Sequence, residues 1–240
     1  MQSFQTLLIF FAALGVFVFV GSRRAAEARE AARRAAAALG LTFQDERAGI
    51  EGFAAGGEMP EMLKAAAPSA EAAARMRQGV SKPWVRKMLD LLAPWRIGGD
   101  YQGVKVSLTP QVRGSGKSAK QVLCFEAFFE EPLPFELRAA RERAYHGIGK
   151  LTGLLQDIKT GNDDFDARVL VSGRPDGEVQ AWLRSHERQH ALLKLLEACP
   201  AAVVSQAGIA LDEPRRQLEA EFLRCRMDAL SAAVQGLAVR

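Results

Sequence analysis

The middle of the chain alternates between apolar and polar residues. Three runs carry this period of two: residues 103–110 (GVKVSLTP), 121–131 (QVLCFEAFFEE) and 134–142 (PFELRAARE), and the run FDARVLVSG, residues 165–173, closes the series. Turn residues separate the runs, a pattern typical of antiparallel strands with one buried face. The predicted inward positions are Leu123, Phe125, Ala127 and Phe129 in the second run, and Phe135, Leu137 and Ala139 in the third, with Glu136 and Arg138 pointing outward.

Shorter elements surround these strands. LTFQ and GIEGFAAG, near residues 41 and 49, predict two short strands, and AVVSQ and GIAL predict a strand pair near residue 205. Longer helical patterns indicate helices at about 70–78, 83–92, 176–197 and 213–238, with a loop over residues 57–70. We therefore expect an α+β fold, in which residues 41–240 form one antiparallel-sheet domain with flanking helices.

A different pattern precedes this domain. Residues 1–21 contain no charged side chain, and residues 7–20 are all apolar or glycine. As a helix this stretch would span roughly 31 Å, about the thickness of the hydrocarbon core. A cleaved signal peptide would carry Lys or Arg before the apolar run, and none is present. The pattern predicts a single transmembrane anchor that embeds residues 4–21 in lipid.

The net charge of +4 is concentrated beside this apolar run. Residues 22–34 hold five Arg and two Glu, so this segment carries +3. Arginines that follow a membrane span stay on the cytoplasmic side, which places the main domain in the cytoplasm at the plasma (inner) membrane. We expect Arg23, Arg24 and Arg29 to contact lipid headgroups. The rest of the chain is nearly neutral, so no nucleic-acid partner is expected.

Residues 22–40 are rich in Ala and Arg and end in glycine. Both residue types favour helices, and Gly40 is a natural helix stop. The segment predicts a helical stalk between the anchor and the domain.

The sequence HERQH, residues 186–190, is a literal H-E-x-x-H run. On a helix, His186 and His190 would lie one turn apart as zinc ligands, with Glu187 as a general base, as in zinc proteases. Such a site needs a third ligand. The available residues are His146, Glu213, Glu219 and Glu221, and nothing in the sequence selects one of them. A membrane-anchored zinc metallohydrolase is therefore one interpretation of the chain.

The segment of residues 160–173 carries a resemblance to known proteins. Thr160, Gly161, Asn162, Phe165 and Asp166, followed by VLVSG, form a T-G-[ND]-x-x-F-D run that enters a strand. With the surrounding strand pattern, most of residues 39–211 resembles a family of uncharacterised bacterial membrane-anchored proteins. The resemblance implies an architecture and no reaction.

The resemblance also implies a second interpretation of HERQH. Such sequences tend to hold Thr or Ser at the position of Ser185, followed by polar residues and then leucines. Ser185 would then be a helix N-cap, and residues 186–188 the exposed first helical turn, with Glu187 favoured by the helix dipole. The core face of this helix would come from Leu192, Leu193, Leu195 and Leu196.

Two other polar clusters suggest ligands only weakly. The run GNDDFD supplies Asp163, Asp164 and Asp166, with Asp157 nearby, but a calcium loop would need glycine where Ala167 stands. A turn with side-chain caps is the simpler interpretation.

GSGKS, residues 114–118, resembles the end of a phosphate-binding loop, but Gln111 stands where that motif needs glycine, and a strand pattern follows. No cofactor is predicted.

The three cysteines, Cys124, Cys199 and Cys225, show no C-x-x-C spacing. Their odd number and scattered positions predict buried or half-buried free thiols in a reducing compartment. Trp84 and Trp95 could lie at a membrane surface close to the stalk, but the core is the favoured position for both. Together the patterns favour a membrane-anchored scaffold or interaction module without enzymatic activity, whose protein partner the sequence does not name.

Overall fold

The structure, a computed structural model, describes residues 23–45, 95–114, 118–142, 157–214 and 218–238, with isolated positions between 58 and 74. By contact density the chain divides into two compact units, Met1–Arg34 with Phe43–Arg96, and Ala35–Thr42 with Ile97–Arg240. The predicted anchor, the strand expected at GIEGFAAG, the helix expected at 83–92 and Trp84 lie outside the described residues. Within the described residues, no helix has both the length and the apolar character needed to span a bilayer.

The described strands follow the alternating runs of the sequence. They are β1 (Thr42–Asp45), β2 (Trp95–Tyr101), β3 (Val104–Arg113), β4 (Lys120–Phe128), β5 (Glu136–Arg141), β6 (Val169–Arg174), β7 (Ala202–Ser205) and β8 (Gly208–Pro214).

Helices occupy both ends of the described chain and the stretch after β5. They are α1 (residues 23–39), α2 (Asp163–Asp166), α3 (Asp176–Trp182), α4 (His186–Ala198) and α5 (Ala220–Ala238). Helix α1 lies within the segment expected as a stalk, and Gly40, with a φ of 69°, ends it in the left-handed region that suits glycine.

All eight strands form one sheet in the order β1-β2-β3-β4-β8-β7-β5-β6. In this spatial order, each pair of neighbouring strands between β2 and the edge strand β6 runs antiparallel. The strand pair predicted at AVVSQ and GIAL is the β7–β8 hairpin, which joins β4 on one side to β5 on the other. The α+β class with one antiparallel sheet and flanking helices is confirmed.

The predicted inward positions are buried. Leu123, Phe125 and Ala127 of β4 are fully buried, as are Leu108 of β3 and Leu211 of β8. Phe129, which directly follows β4, is also buried. The same holds for Phe135, just before β5, and for Leu137 and Ala139 within it. Glu136 and Arg138 are exposed, as expected. One face of the sheet therefore supplies the hydrophobic core of the second unit.

Helix α5 packs on this inner face. Its buried side chains recur every three or four residues, a helical stripe that faces the sheet: Leu223, Met227, Leu230, Val234 and Leu237. The ring of Phe222 meets Phe125 edge-on, with 6.4 Å between the centroids. Helix α4 packs beside α5, and α3 packs over β6, where Val179 is fully buried.

Within the first unit, the described residues form a small aromatic and charged cluster. Phe43 lies 6.2 Å from Trp95 between ring centroids, and the Arg33 guanidinium lies 5.3 Å from the Phe43 ring. Trp95 is 4% exposed, so its predicted core position is confirmed.

Several boundaries differ from the sequence prediction. Strand β2 was not predicted, because Gly98 and Gly99 interrupt its pattern of strand-forming residues. The predicted continuous strand from Phe165 begins only at Val169, because residues 163–166 form the short helix α2. The C-terminal helix begins at Ala220 and not at residue 213, since β8 continues to Pro214.

Two phenylalanines on the same strand test the division into an inner and an outer face. Phe125 is fully buried, whereas Phe128 is 38% exposed. We expect Phe125→Ala to lower the free energy of unfolding by about 3–5 kcal/mol, because it removes a buried ring and leaves a cavity. Phe128→Ala is the matched control, and its cost should be well below that range. Chemical denaturation measures both, and equal losses would contradict the observed register.

Candidate functional site

The H-E-x-x-H run lies at the start of helix α4. Ser185 has an extended backbone, with φ of −68° and ψ of 120°, and its side chain accepts a hydrogen bond from the backbone N–H of Arg188. This is the N-cap geometry that satisfies an otherwise unpaired N–H group of the first turn. The predicted helix start is confirmed. Leu192, Leu195 and Leu196 are buried as expected, and Leu193 is partly exposed.

The two middle residues of the run have structural partners. The Arg188 guanidinium lies 5.1 Å from the centre of the Trp182 ring and donates to the Trp182 carbonyl at 3.0 Å. Gln189 is 5% exposed; its Nε2 donates to the Leu183 carbonyl at 2.8 Å, and its Oε1 accepts from Asn162 Nδ2 at 2.6 Å. These contacts hold α4 to the end of α3 and to the loop before α2. Sequence reasoning missed this role of Gln189, because a glutamine in an exposed first turn gives no burial signal.

The three residues with potential chemistry are exposed. His186, Glu187 and His190 lie on the outer side of α4, along a groove of about 770 Å³ between α4 and α5. Two histidines one turn apart could supply two ligands to a metal ion, and Glu187 could act as a base beside it. No described residues form a group of three or more His, Cys, Asp or Glu side chains suited to a metal.

The described candidates for a third ligand lie elsewhere. Glu213 forms an ion pair with Arg226 at 3.0 Å. Ala191, next to His190, lies beside Gly236 near the end of α5. Glu221 lies at the opposite end of α5, fifteen residues and roughly 22 Å away along the helix axis. Glu219 precedes it, and His146 lies outside the described residues.

The aspartates of GNDDFD support the local backbone. The Asp166 carboxylate accepts hydrogen bonds from the Thr160 N–H (2.9 and 3.0 Å), the Thr160 hydroxyl (2.9 Å) and the Gly161 N–H (3.1 Å). Asn162 caps α2 by accepting from the Phe165 N–H. The prediction of a capped turn leading into a strand is confirmed.

The remaining candidates of this cluster do not converge with Asp166 on a ligand position. Asp164 pairs with Arg168 at 2.8 Å, and Asp157 pairs with Lys159 and accepts from the Val171 N–H. Asp163 is exposed at the start of α2. Their side chains are oriented toward protein groups or toward solvent, so the cluster stabilises the turn.

The three arginines expected at lipid headgroups differ in exposure. Arg23 and Arg24 are exposed, and Arg23 pairs with Glu27 at 3.1 Å. Arg29 is 7% exposed and forms an ion pair with Asp45 at 3.5 Å. Arg29 therefore has a protein partner, whereas the side chains of Arg23 and Arg24 reach the surface. Headgroup contact remains a prediction for the set.

Two of the three cysteines are buried thiols. Burial raises the pKa of the Cys124 thiol to about 12 and also raises the pKa of Cys199, so both are protonated and weak nucleophiles at neutral pH. Cys225 is exposed, contrary to the expected burial.

After GSGKS the chain enters strand β4 and not a helix, as the sequence predicted.

A second groove lies on the outer face of the sheet, which the sequence did not single out. It has a volume of about 860 Å³, and strands β3, β5, β6, β7 and β8 contribute to it. Six charged side chains line it: Arg113, Arg138, Arg174, Glu136, Asp176 and Asp212. Their charges cancel, so the groove is polar but has no net charge.

The charged groups of this groove are positioned by strand register. Arg113 donates to both carboxylate oxygens of Asp212, at 2.8 and 3.2 Å, and this hydrogen bonding raises the pKa of Arg113. Arg174 lies opposite Glu136 in the β5–β6 pair. Arg174 is exposed and has no ion-pair partner among the described residues. The groove therefore offers one closed ion pair and one guanidinium open to a ligand.

Comparison with models of protein families, with curated proteins and with solved structures found no match to the chain.

The helix-start interpretation of residues 185–190 makes a quantitative prediction. Replacing both His186 and His190 by Gln should change the free energy of unfolding by about 0.5 kcal/mol or less, as at ordinary surface positions. Ser185→Ala should cost about 1 kcal/mol, because the N-cap is lost. Chemical denaturation with parallel zinc analysis measures both. A zinc site predicts the reverse order, with bound zinc that disappears when the histidines are replaced.

Proposed function

We propose that the chain is a membrane-anchored interaction module without enzymatic activity, and that its sheet domain binds a protein partner at the cytoplasmic face of the plasma membrane. The observation that carries this proposal is the groove on the outer face of the sheet. It lies on the sheet face opposite α5, and it combines backbone-positioned charges with a floor of small side chains. Its composition favours one class of ligand over others.

The balanced charge of the groove supports a protein ligand. Nucleic acid would favour a surface with a strong excess of Lys and Arg, whereas here three arginines face three carboxylates. A charged rim around a floor of Ser205, Val203 and Ala210 suits an extended protein segment that carries both signs of charge. Such complementarity sets the orientation and specificity of a partner more than its affinity.

Membrane attachment rests on residues 4–21, which form an uninterrupted uncharged stretch long enough to span the hydrocarbon core. The arginines that follow set the orientation, and the exposed side chains of Arg23 and Arg24 are suited to contact anionic headgroups. The proposed anchor would hold the sheet domain near its partner at the membrane surface.

One alternative function has an observation in its favour. His186, Glu187 and His190 all line the α4–α5 groove and are open to solvent, so a zinc ion could reach them. A metallohydrolase would require a third ligand in addition. Metal content of the purified chain distinguishes this alternative from the interaction module.

The proposed orientation predicts the location of the C-terminus. A reporter enzyme that is active only outside the cytoplasm, fused after Arg240, should remain inactive, because the arginines after the apolar run stay in the cytoplasm. A cytoplasmic reporter fused at the same position should be active and serves as the control. Strong activity of the first fusion would reverse the proposed topology.

The proposed binding groove can be tested by photo-crosslinking in native membranes. A photoreactive amino acid replacing Ala210, an exposed residue on the groove floor, should give one discrete protein adduct. The same amino acid at Arg184, exposed between α3 and α4, is the positional control and should not give this adduct.

Charge variants separate the groove from nonspecific capture. Arg174→Glu should reduce the Ala210 adduct about tenfold, because it reverses the charge of the exposed Arg174 guanidinium. Glu178→Lys, on the surface of α3, should leave the adduct unchanged. An adduct at Ala210 that is insensitive to Arg174→Glu, or no protein adduct at Ala210, would count against the groove as the binding surface.

A further inference from the structure

We infer that the groove between α4 and α5 binds a second copy of this chain, so that the protein self-associates through these helices. The inference concerns a surface separate from the sheet groove and goes beyond the proposed partner binding. It depends on the packing of the two helices, on the apolar lining of the groove and on the pattern of its charges.

The two helices run antiparallel and approach closely. At one end Arg226 Nη1 donates to the Ala198 carbonyl at 2.9 Å. At the other end a Cβ on Gly236 would lie only 2.8 Å from the Ala191 Cβ, so glycine is required for this approach. The groove that remains above this contact is lined mainly by small apolar side chains: Ala191, Ala198, Ala229, Ala232 and Ala233.

The charged residues of the groove are complementary to themselves. Glu187 and Lys194 lie on the same side of α4, two turns apart, which is roughly 10.5 Å along the helix. Apart from the two histidines, Glu187 is the acidic residue of the lining and Lys194 the basic one. Neither has an ion-pair partner among the described residues. A partner helix would complement these charges if it placed a Lys opposite Glu187 and a Glu opposite Lys194.

A second α4 offers this arrangement when it lies antiparallel to the first. A two-fold axis midway between residues 187 and 194 passes beside His190 and Ala191. Glu187 of each copy then faces Lys194 of the other, giving two equivalent ion pairs. This is the self-complementarity that an isologous two-fold interface requires. The alanines allow the partner's helix to enter the groove.

Charge reversal on the full chain tests this interface. In detergent micelles or nanodiscs, analytical ultracentrifugation should show dimers of the native chain. Glu187→Lys and Lys194→Glu should each weaken dimerisation about tenfold or more, because each places two like-charge pairs across the axis. The double variant, Glu187→Lys with Lys194→Glu, restores both pairs and should dimerise within about threefold of the native chain. Glu178→Lys changes the net charge by the same amount as Glu187→Lys, but outside the groove, and is the control for that variant.

A second measurement places the axis. In a Cys225→Ser background, His190→Cys should be joined into dimers by a short bis-maleimide, and Glu178→Cys should not. Circular dichroism verifies that each variant is folded. A monomeric native chain, or a dimer that neither single reversal weakens, would overturn the inference, as would a double variant no better than the single ones. Reversals that weaken the dimer with rescue by the double variant would establish it.

Discussion

The register of β4 between β3 and β8 determines most of the structure. Side chains on a strand alternate between two faces, so a shift of one residue would exchange those faces completely. In the observed register Phe125 lies beside Leu108 on one side and Leu211 on the other, and all three are fully buried. The same register places Cys124 beside Asp212 on the outer face. The core under α5 and the groove on the other side of the sheet are therefore two consequences of one pairing.

The sequence predicted the parts of the fold that depend on local periodicity. The alternation around Phe125 and Phe135 identified the inward faces of strands that are adjacent or nearly so in the chain. The cap at Ser185 was implied by the resemblance, and the structure shows it as a local side-chain interaction with the first turn of α4. Strand β2 was missed because Gly98 and Gly99 have no side chains that could show alternation. Apart from isolated positions, residues 46–94 lie outside the described residues. The strand expected at GIEGFAAG and the helix expected at 83–92 therefore stay predictions.

The outer groove could not be predicted in the same way. Its closed ion pair joins Arg113 and Asp212, which are 99 positions apart and meet only because β4 pairs with both of their strands. Each of these residues, read alone, is an ordinary charged residue on an exposed strand position. Only the order of the strands turns them into one surface. The conspicuous motifs, in contrast, suggested metal sites in the sequence, because His186 and Asp166 belong to runs of potential ligands. In the structure their neighbours Ser185 and Asn162 cap helices, and Gln189 forms buried hydrogen bonds.

The proposed anchor affects how strongly the two surfaces need to bind. Ion pairs between exposed side chains, such as those inferred between Glu187 and Lys194, contribute only about 0–1 kcal/mol each. Such pairs select the direction and position of a partner helix, while burial of the alanine-lined groove supplies the attraction. A chain confined to a membrane encounters its partners at a high effective concentration, so contacts that are weak in solution suffice. Self-association through α4 would also bring two sheet grooves together on one membrane surface. A partner with two binding segments would then be held by both grooves, and its affinity could exceed that of either groove without any new contact.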